Sequence, residues 1–411
     1  MVNAGDVERA AQTLRGVVRR TPLERSSRLE ERSGATVWLK REDLQVVRSY
    51  KLRGAYNLIA GLTRAERDLG VVCASAGNHA QGVAYSCRAL DVAGRIFLPH
   101  TTPRQKLERI AALGGSSIDT IVVGDSYDEA NEAAAEDATR TGAVVVPPFD
   151  DPRTIAGQGT VITEAVDQLG AFPDAVIVPV GGGGLAAGIA SWLRERGPAT
   201  RVIGVEPAGA ASMAAALRAD RPVVLDSIDT FVDGAAVRCV GELTFAAVRD
   251  HGVEVVPVDE GAVCTEMLEL YQADGIIAEP AGALATTALE DLGLDGRTVI
   301  CVLSGGNNDV SRYGDIVERS LVHRGLKHYF LVEFPQEPGA LRRFLDEVLG
   351  PDDDITLFEY VKKSNRETGP ALVGIELQVP DDLGPLLQRM SHSPLQMQRV
   401  PPGSPLFTFL F

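Results

Sequence analysis

Residues 175 to 193 carry no charged side chain, yet Pro179 and four consecutive glycines, Gly181 to Gly184, stand inside the run. A lipid-spanning helix would be broken by that composition. A buried strand that turns sharply into a helix would not. The same unit of short apolar run, glycine-rich turn and helical period recurs from about residue 37 to residue 303. Segments 71–74, 96–98, 118–123, 175–180, 202–205, 253–258 and 299–303 read as strands. Most are β-branched, as parallel strands buried on both faces are. Helical stretches at 104–113, 127–140, 184–194 and 261–273 lie between them. Such alternation predicts a doubly wound α/β fold with right-handed crossovers, in which ligands sit at the carboxyl ends of the strands.

The texture changes after about His323. Residues 329–334 alternate, Pro338-Gly339 opens a helix through 349, and 355–362 and 371–379 read as strands joined by Ser364-Asn365-Arg366-Glu367-Thr368-Gly369. Ala371, Val373, Ile375, Leu377 and Val379 fall on one face at period two. The β-α-β-β order predicts a small α+β domain of ferredoxin-like type. The expected division is therefore 1–324 and 325–411.

Forty basic against 56 acidic residues leave a net charge of −16, which disfavours binding to a phosphate backbone. The five cysteines (Cys73, Cys87, Cys239, Cys264 and Cys301) are scattered without a Cys-x-x-Cys pair. Neither a disulfide framework nor a zinc knuckle is expected from them, and a reducing compartment is. The first residues lead into charged positions without an apolar core, so no secretory signal is read. The expectation is a soluble, cytoplasmic protein that binds neither nucleic acid nor membrane.

Four segments carry chemistry. In Ser49-Tyr50-Lys51, Lys51 opens a helix beside an aromatic ring; it reads as a solvated lysine or as an amine that forms a Schiff base. Strand 71–74 runs into Ser75-Ala76-Gly77-Asn78-His79, whose helix N-terminus can hold a carboxylate, or is simply a capped turn. Gly181 to Gly184 and Leu185 let backbone N–H groups wrap a phosphate. The same glycines fit a dinucleotide fingerprint, Gly181-x-Gly183-x-x-Ala186, with Glu206 ending the next strand, so a nicotinamide oxidoreductase is a rival from this segment alone. Finally, strand 299–303 ends in Ser304-Gly305-Gly306-Asn307, where a hydroxyl can meet a ring nitrogen or cap a helix.

Taken together with Lys40-Arg41-Glu42-Asp43-Leu44-Gln45 and Glu279-Pro280-Ala281-Gly282-Ala283, these segments resemble the threonine dehydratase (threonine ammonia-lyase) family of pyridoxal phosphate enzymes, in order and spacing over nearly the whole chain. The resemblance implies the pyridoxal phosphate fold type II (tryptophan synthase beta-like) with a single ACT-like regulatory domain from about Lys327. It implies that Lys51 binds pyridoxal 5'-phosphate covalently, with Tyr50 beside the ring in a place often held by phenylalanine. Asn78 would meet the ring oxygen, Gly181, Gly182, Gly183, Gly184 and Leu185 the phosphate, and Ser304 the pyridine nitrogen. Ser75, Ala76, Gly77, Asn78 and His79 would receive the substrate carboxylate.

The implied reaction is β-elimination from L-threonine, or L-serine, to a 2-oxo acid and ammonia, the first step of isoleucine synthesis. Isoleucine would be the feedback inhibitor and the assembly a homotetramer. A neutral Ser304 would leave the pyridine unprotonated, which favours prompt elimination over transamination. Two departures separate this chain from the related serine racemases: Ala76 replaces a second serine, and Ser212 replaces the second of two metal-binding carboxylates, leaving Glu206 alone. No obligatory metal is expected. A catabolic serine/threonine dehydratase and a non-catalytic amino-acid sensor on the same fold are the alternatives.

Overall fold

The computed structural model describes residues 1–360 and 367–407. The end of the strand read at 355–362 and the first half of the linker read at 364–369 lie outside the described residues. The chain divides into two compact units, Met1–Asn308 and Asp309–Phe411.

The first unit carries its α/β alternation on two separate sheets. The larger has the order Leu23–Arg25, Thr36–Arg41, Thr298–Leu303, Ala175–Pro179, Arg201–Pro207, Glu254–Val258. Every neighbouring pair is parallel except the first. The smaller sheet is wholly parallel, in the order Ile118–Val122, Gly94–Leu98, Val71–Ala74, Val144–Val145. Ala175–Pro179 and Val71–Ala74 are buried at every residue, as both-sided coverage by helices requires. Three strands escaped the sequence pattern. Leu23–Arg25 and Thr36–Arg41 include Glu24, Arg25, Lys40 and Arg41, and Val144–Val145 is only two residues long.

Helix placement follows local signals. Asp151 accepts from the Arg153 N–H, Pro152 occupies the first turn, and Gly170 closes helix Pro152–Leu169 in the left-handed region. The core of the large lobe gathers Val161, Ile162, Val176, Val178, Leu185, Ile189 and Ile300, and that of the small lobe Leu58, Ile59, Val83, Ile96 and Leu98.

The second unit opens with helix Tyr313–His323. Its antiparallel sheet runs Asp354–Tyr360, Thr368–Glu376, Lys327–Pro335, Gln396–Val400. With helices Ala340–Glu347 and Leu383–His392 this completes a βαββαβ order. Phe330, Val332, Phe334, Phe344, Val373, Ile375 and Leu386 form its core. Val379, expected on the buried face, is exposed. The strand ends at Glu376, and the chain turns at Pro380.

Candidate active site

The residues singled out in the first unit converge at the carboxyl ends of three parallel strands: Val71–Ala74, Ala175–Pro179 and Thr298–Leu303. Lys51 begins helix Lys51–Ala60, which packs on helix Asn78–Leu90 at Gly82. A Cβ on Gly82 would stand 3.1 Å from the Leu52 nitrogen, a tight approach that glycine relieves where the two helices pack. Behind Lys51, Arg53 is fully buried and forms paired hydrogen bonds to Glu42, both 2.8 Å, and further bonds to Glu164 at 2.8 and 2.9 Å. This network ties the start of the helix to the motif at 40–45.

The Lys51 ammonium donates to the Pro148 carbonyl at 3.0 Å and lies 5.3 Å from the Tyr50 ring centre. Burial draws its pKa down to about 8, against the pull of Glu279. The Tyr50 N–H donates to the Ser304 carbonyl at 3.1 Å, which fixes the fourth segment against the first.

Pro148 also accepts from the Gln158 amide at 3.0 Å. The Gln158 oxygen, buried without a partner, lies 2.3 Å from where a Cβ on Gly184 would stand. The glycine loop therefore shares its neighbours with the amine. Gly183 sits at φ +90° as the cap of helix Gly184–Arg196 and offers no side-chain acceptor. Among the described residues no protein acceptor is found for the N–H groups of Gly182, Gly183, Gly184 and Leu185. An uncapped, glycine-lined helix N-terminus of this kind fits a phosphate. Thr244 anchors the loop from outside by donating its hydroxyl to the Gly182 carbonyl at 2.6 Å.

On the small-lobe side, Gly77 caps helix Asn78–Leu90 without a side-chain acceptor, and the Ser75 hydroxyl accepts from the Gly77 N–H at 3.2 Å. His79 does not present a donor to a ligand. Its Nε2 faces the Val146 carbonyl at 2.7 Å and so carries the hydrogen, leaving buried Nδ1 bare. Burial and the nearby Lys51 hold its pKa down to about 3, so it is neutral across the working range. The Ser304 hydroxyl donates to the Ala281 carbonyl at 3.2 Å; its single proton can turn to a ring nitrogen instead.

The chain was compared with known proteins. Residues 14–305 match the family model "Pyridoxal-phosphate dependent enzyme", and residues 318–410 match "C-terminal regulatory domain of Threonine dehydratase". L-threonine dehydratase biosynthetic IlvA of Mycobacterium bovis is 61% identical over 412 residues, covering 100% of this chain and 96% of the relative. The chain belongs to the biosynthetic L-threonine dehydratases. The member from Bacillus subtilis is 50% identical, covering 100% of this chain and 98% of its own. The solved structure of the processed form of threonine deaminase isoform 2 from Solanum lycopersicum superposes with a TM-score of 0.72 at 38% identity, over 78% of this chain and 96% of that one. Among the described residues no helix is long and apolar enough to cross a membrane.

Within this cluster, several residues had no role in the sequence reading. Pro148 and Gln158 gather the amine and the loop, and Phe149 lies against the glycines. Glu279, quoted only as part of a motif, is buried and bonded to Asn78 at 2.6 Å. Its signal was a glutamate inside an apolar Glu-Pro-Ala-Gly-Ala run, where an unpaired carboxylate is expensive. Glu206 accepts from the Met213 and Ala214 N–H groups at 2.6 and 2.9 Å, so both its oxygens are engaged by the first turn of helix Ser212–Ala219. Among the described residues the buried Ser212 hydroxyl has no partner.

Proposed function

We propose that this chain is a threonine dehydratase that converts L-threonine to 2-oxobutanoate and ammonia by β-elimination, accepts L-serine as well, and is inhibited by isoleucine through its C-terminal unit. The observation that carries the reading is the Lys51 amine, held at a pKa near 8 and sharing the Pro148 carbonyl with the side chain that abuts the phosphate-fitting loop.

Lys51, Tyr50, Asn78, Gly181 to Leu185 and Ser304 would hold pyridoxal 5'-phosphate. When bound, it supplies an electron sink for the pair left at the substrate Cα and an acidic phosphate near the departing hydroxide. Lys51, once its amine is free, is the base at Cα: a lowered pKa leaves an appreciable unprotonated fraction near neutral pH. Gly77 and the open N–H groups at the start of helix Asn78–Leu90 orient the substrate carboxylate. Ala76 has no proton to deliver to the opposite face, which favours elimination over racemisation. Ser304, neutral, donates one hydrogen bond without adding charge.

Membership of the family and the match of 318–410 to a regulatory domain support the biosynthetic reading over the catabolic one. A cytoplasmic homotetramer remains the expected form. The deciding experiment follows 2-oxo acid release from threonine and serine, with and without isoleucine, and maps the borohydride-reduced protein. Turnover of threonine with the label on Lys51 is the expected result. A label on another lysine overturns the site assignment, and isoleucine that neither binds nor alters the saturation curve overturns the regulatory one.

A further inference from the structure

Glu279 caps helix Pro280–Thr287 by position, yet its carboxylate makes no cap bond and turns the other way. Oε1 accepts from Asn78 Nδ2 at 2.6 Å, and Oε2 accepts from the Asn307 backbone N–H at 3.2 Å. Asn307 closes the ring. Its Nδ2 donates one hydrogen to the Val47 carbonyl at 2.8 Å and the other to Asn78 Oδ1 at 2.7 Å.

These contacts fix which way the Asn78 amide faces. A backbone carbonyl only accepts, so the Asn307 atom facing Val47 is nitrogen. That nitrogen has a second hydrogen to give, so the Asn78 atom facing it is oxygen. Nδ2 of Asn78 must then face Glu279, and a carboxylate is an acceptor there. One of the two Nδ2 hydrogens goes to Glu279, and no acceptor for the other is found among the described residues. Gly305 makes the arrangement possible, because a Cβ there would stand 2.3 Å from Glu279 Oε1.

We propose that Glu279 is a positioning residue of the cofactor site: with Asn307 it clamps the Asn78 amide, so that one Nδ2 hydrogen stays committed to presentation to the ring oxygen of pyridoxal phosphate. This rests on the reading that Asn78 serves that oxygen. It also gives the carboxylate a line to the cofactor. Glu279 and the ring oxygen are served by the same amide nitrogen, so negative charge on one opposes negative charge on the other.

Charged groups that interact with Glu279 include Lys51 and the pair Asp233 and Lys106, which bond each other at 2.8 Å, and Glu279 also acts on Tyr50. Burial first, and Asp233 second, push its pKa up to about 7, while the donors Asn78 and Asn307 and the charge of Lys106 pull it down.

The test compares three variants of the full chain loaded with pyridoxal phosphate: Glu279→Gln, Glu279→Ala and Asn78→Ala. Each is read by cofactor dissociation constant, by the visible absorbance of bound cofactor between pH 5.5 and 9, with the melting temperature of the cofactor-free protein as a folding control. Glu279→Gln keeps an acceptor for Asn78 but turns its NH2 toward the Asn307 N–H, so it should weaken cofactor binding less than Glu279→Ala does. Glu279→Ala releases the amide and should weaken binding about ten- to hundredfold, the loss expected for a hydrogen bond to a charged group. Asn78→Ala should weaken it comparably. If Asn78→Ala leaves affinity and absorbance unchanged, the assignment of Asn78 fails. If Asn78→Ala has its effect while Glu279→Ala binds as the parent does, the clamp fails and the assignment stands.

Discussion

The ring of Phe149 lies 2.2 Å from the point where a Cβ on Gly182 would stand. No phosphate is needed to explain that glycine, because the protein's own side chain already fills the space. The four-glycine loop is shaped on one face by Phe149 and Gln158 and on another by Ala235 and Met213. Packing and anion binding thus constrain the same residues.

This crowding makes the loop separable by a double substitution. Gly182→Ala should lower the melting temperature and weaken cofactor binding together. Phe149→Ala in that background should restore part of both, with a coupling of about 0.5–3 kcal/mol as found for residues in contact. Purely additive losses in a double-mutant cycle would contradict the contact.

His79 sets a dependence of stability on acid. Its pKa is about 3 in the folded chain against 6.5 for the free side chain, so between those values the unfolded state binds more protons. Stability should fall as pH drops from about 6.5 toward 3. The raised pKa of Glu279 acts oppositely between 4.5 and about 7, being stabilising at low pH and losing that contribution as pH rises. Urea unfolding at a series of pH values should therefore show a shallower acid loss in His79→Asn than in the parent; equal slopes would refute the assignment.

Arg53 tests the scaffold behind the amine. Arg53→Ala leaves the fully buried Glu42 without its guanidinium partner, and removing one partner of a buried pair costs about 3–5 kcal/mol. Adding Glu42→Gln should return part of that loss, because the stranded charge is gone. Denaturant midpoints measure both; a single variant as stable as the parent would show the network to be dispensable.

Metal removal should leave turnover unchanged. Both oxygens of Glu206 are engaged by backbone N–H groups, and the residue six positions on is Ser212. Extensive dialysis against a chelator, followed by the threonine assay, should give the parent rate. A loss restored by magnesium would reverse the expectation.

The alternating unit of buried strand, glycine turn and helix was legible in the sequence because burial on both faces of a parallel strand requires near-continuous apolar runs, as in Val71–Ala74 and Ala175–Pro179. Three of the four chemistry-bearing segments were expected for a related reason: ligand loops follow strand ends, so Asn78, Gly181 to Gly184 and Ser304 each stood at a predictable junction, whereas Lys51 was marked only by the start of its helix. The charged edge strand Leu23–Arg25 and its neighbour Thr36–Arg41 were not, since their pairing is satisfied by neighbours far along the chain rather than by their own pattern.

What only the tertiary structure decided is which atoms face one another. Gly181-x-Gly183-x-x-Ala186 with Glu206 suits two motifs by spacing. The fold separates them: Glu206 is fully buried with each oxygen already accepting a backbone N–H, out of reach of a ribose, while the glycines share neighbours with Lys51. Likewise Asn78, Glu279 and Asn307 lie some 200 residues apart along the chain or more than two dozen, and no local pattern relates them. Their hydrogen bonds have partners of fixed donor and acceptor character, and that complementarity exists only once two strand ends and the start of helix Pro280–Thr287 are brought to one place.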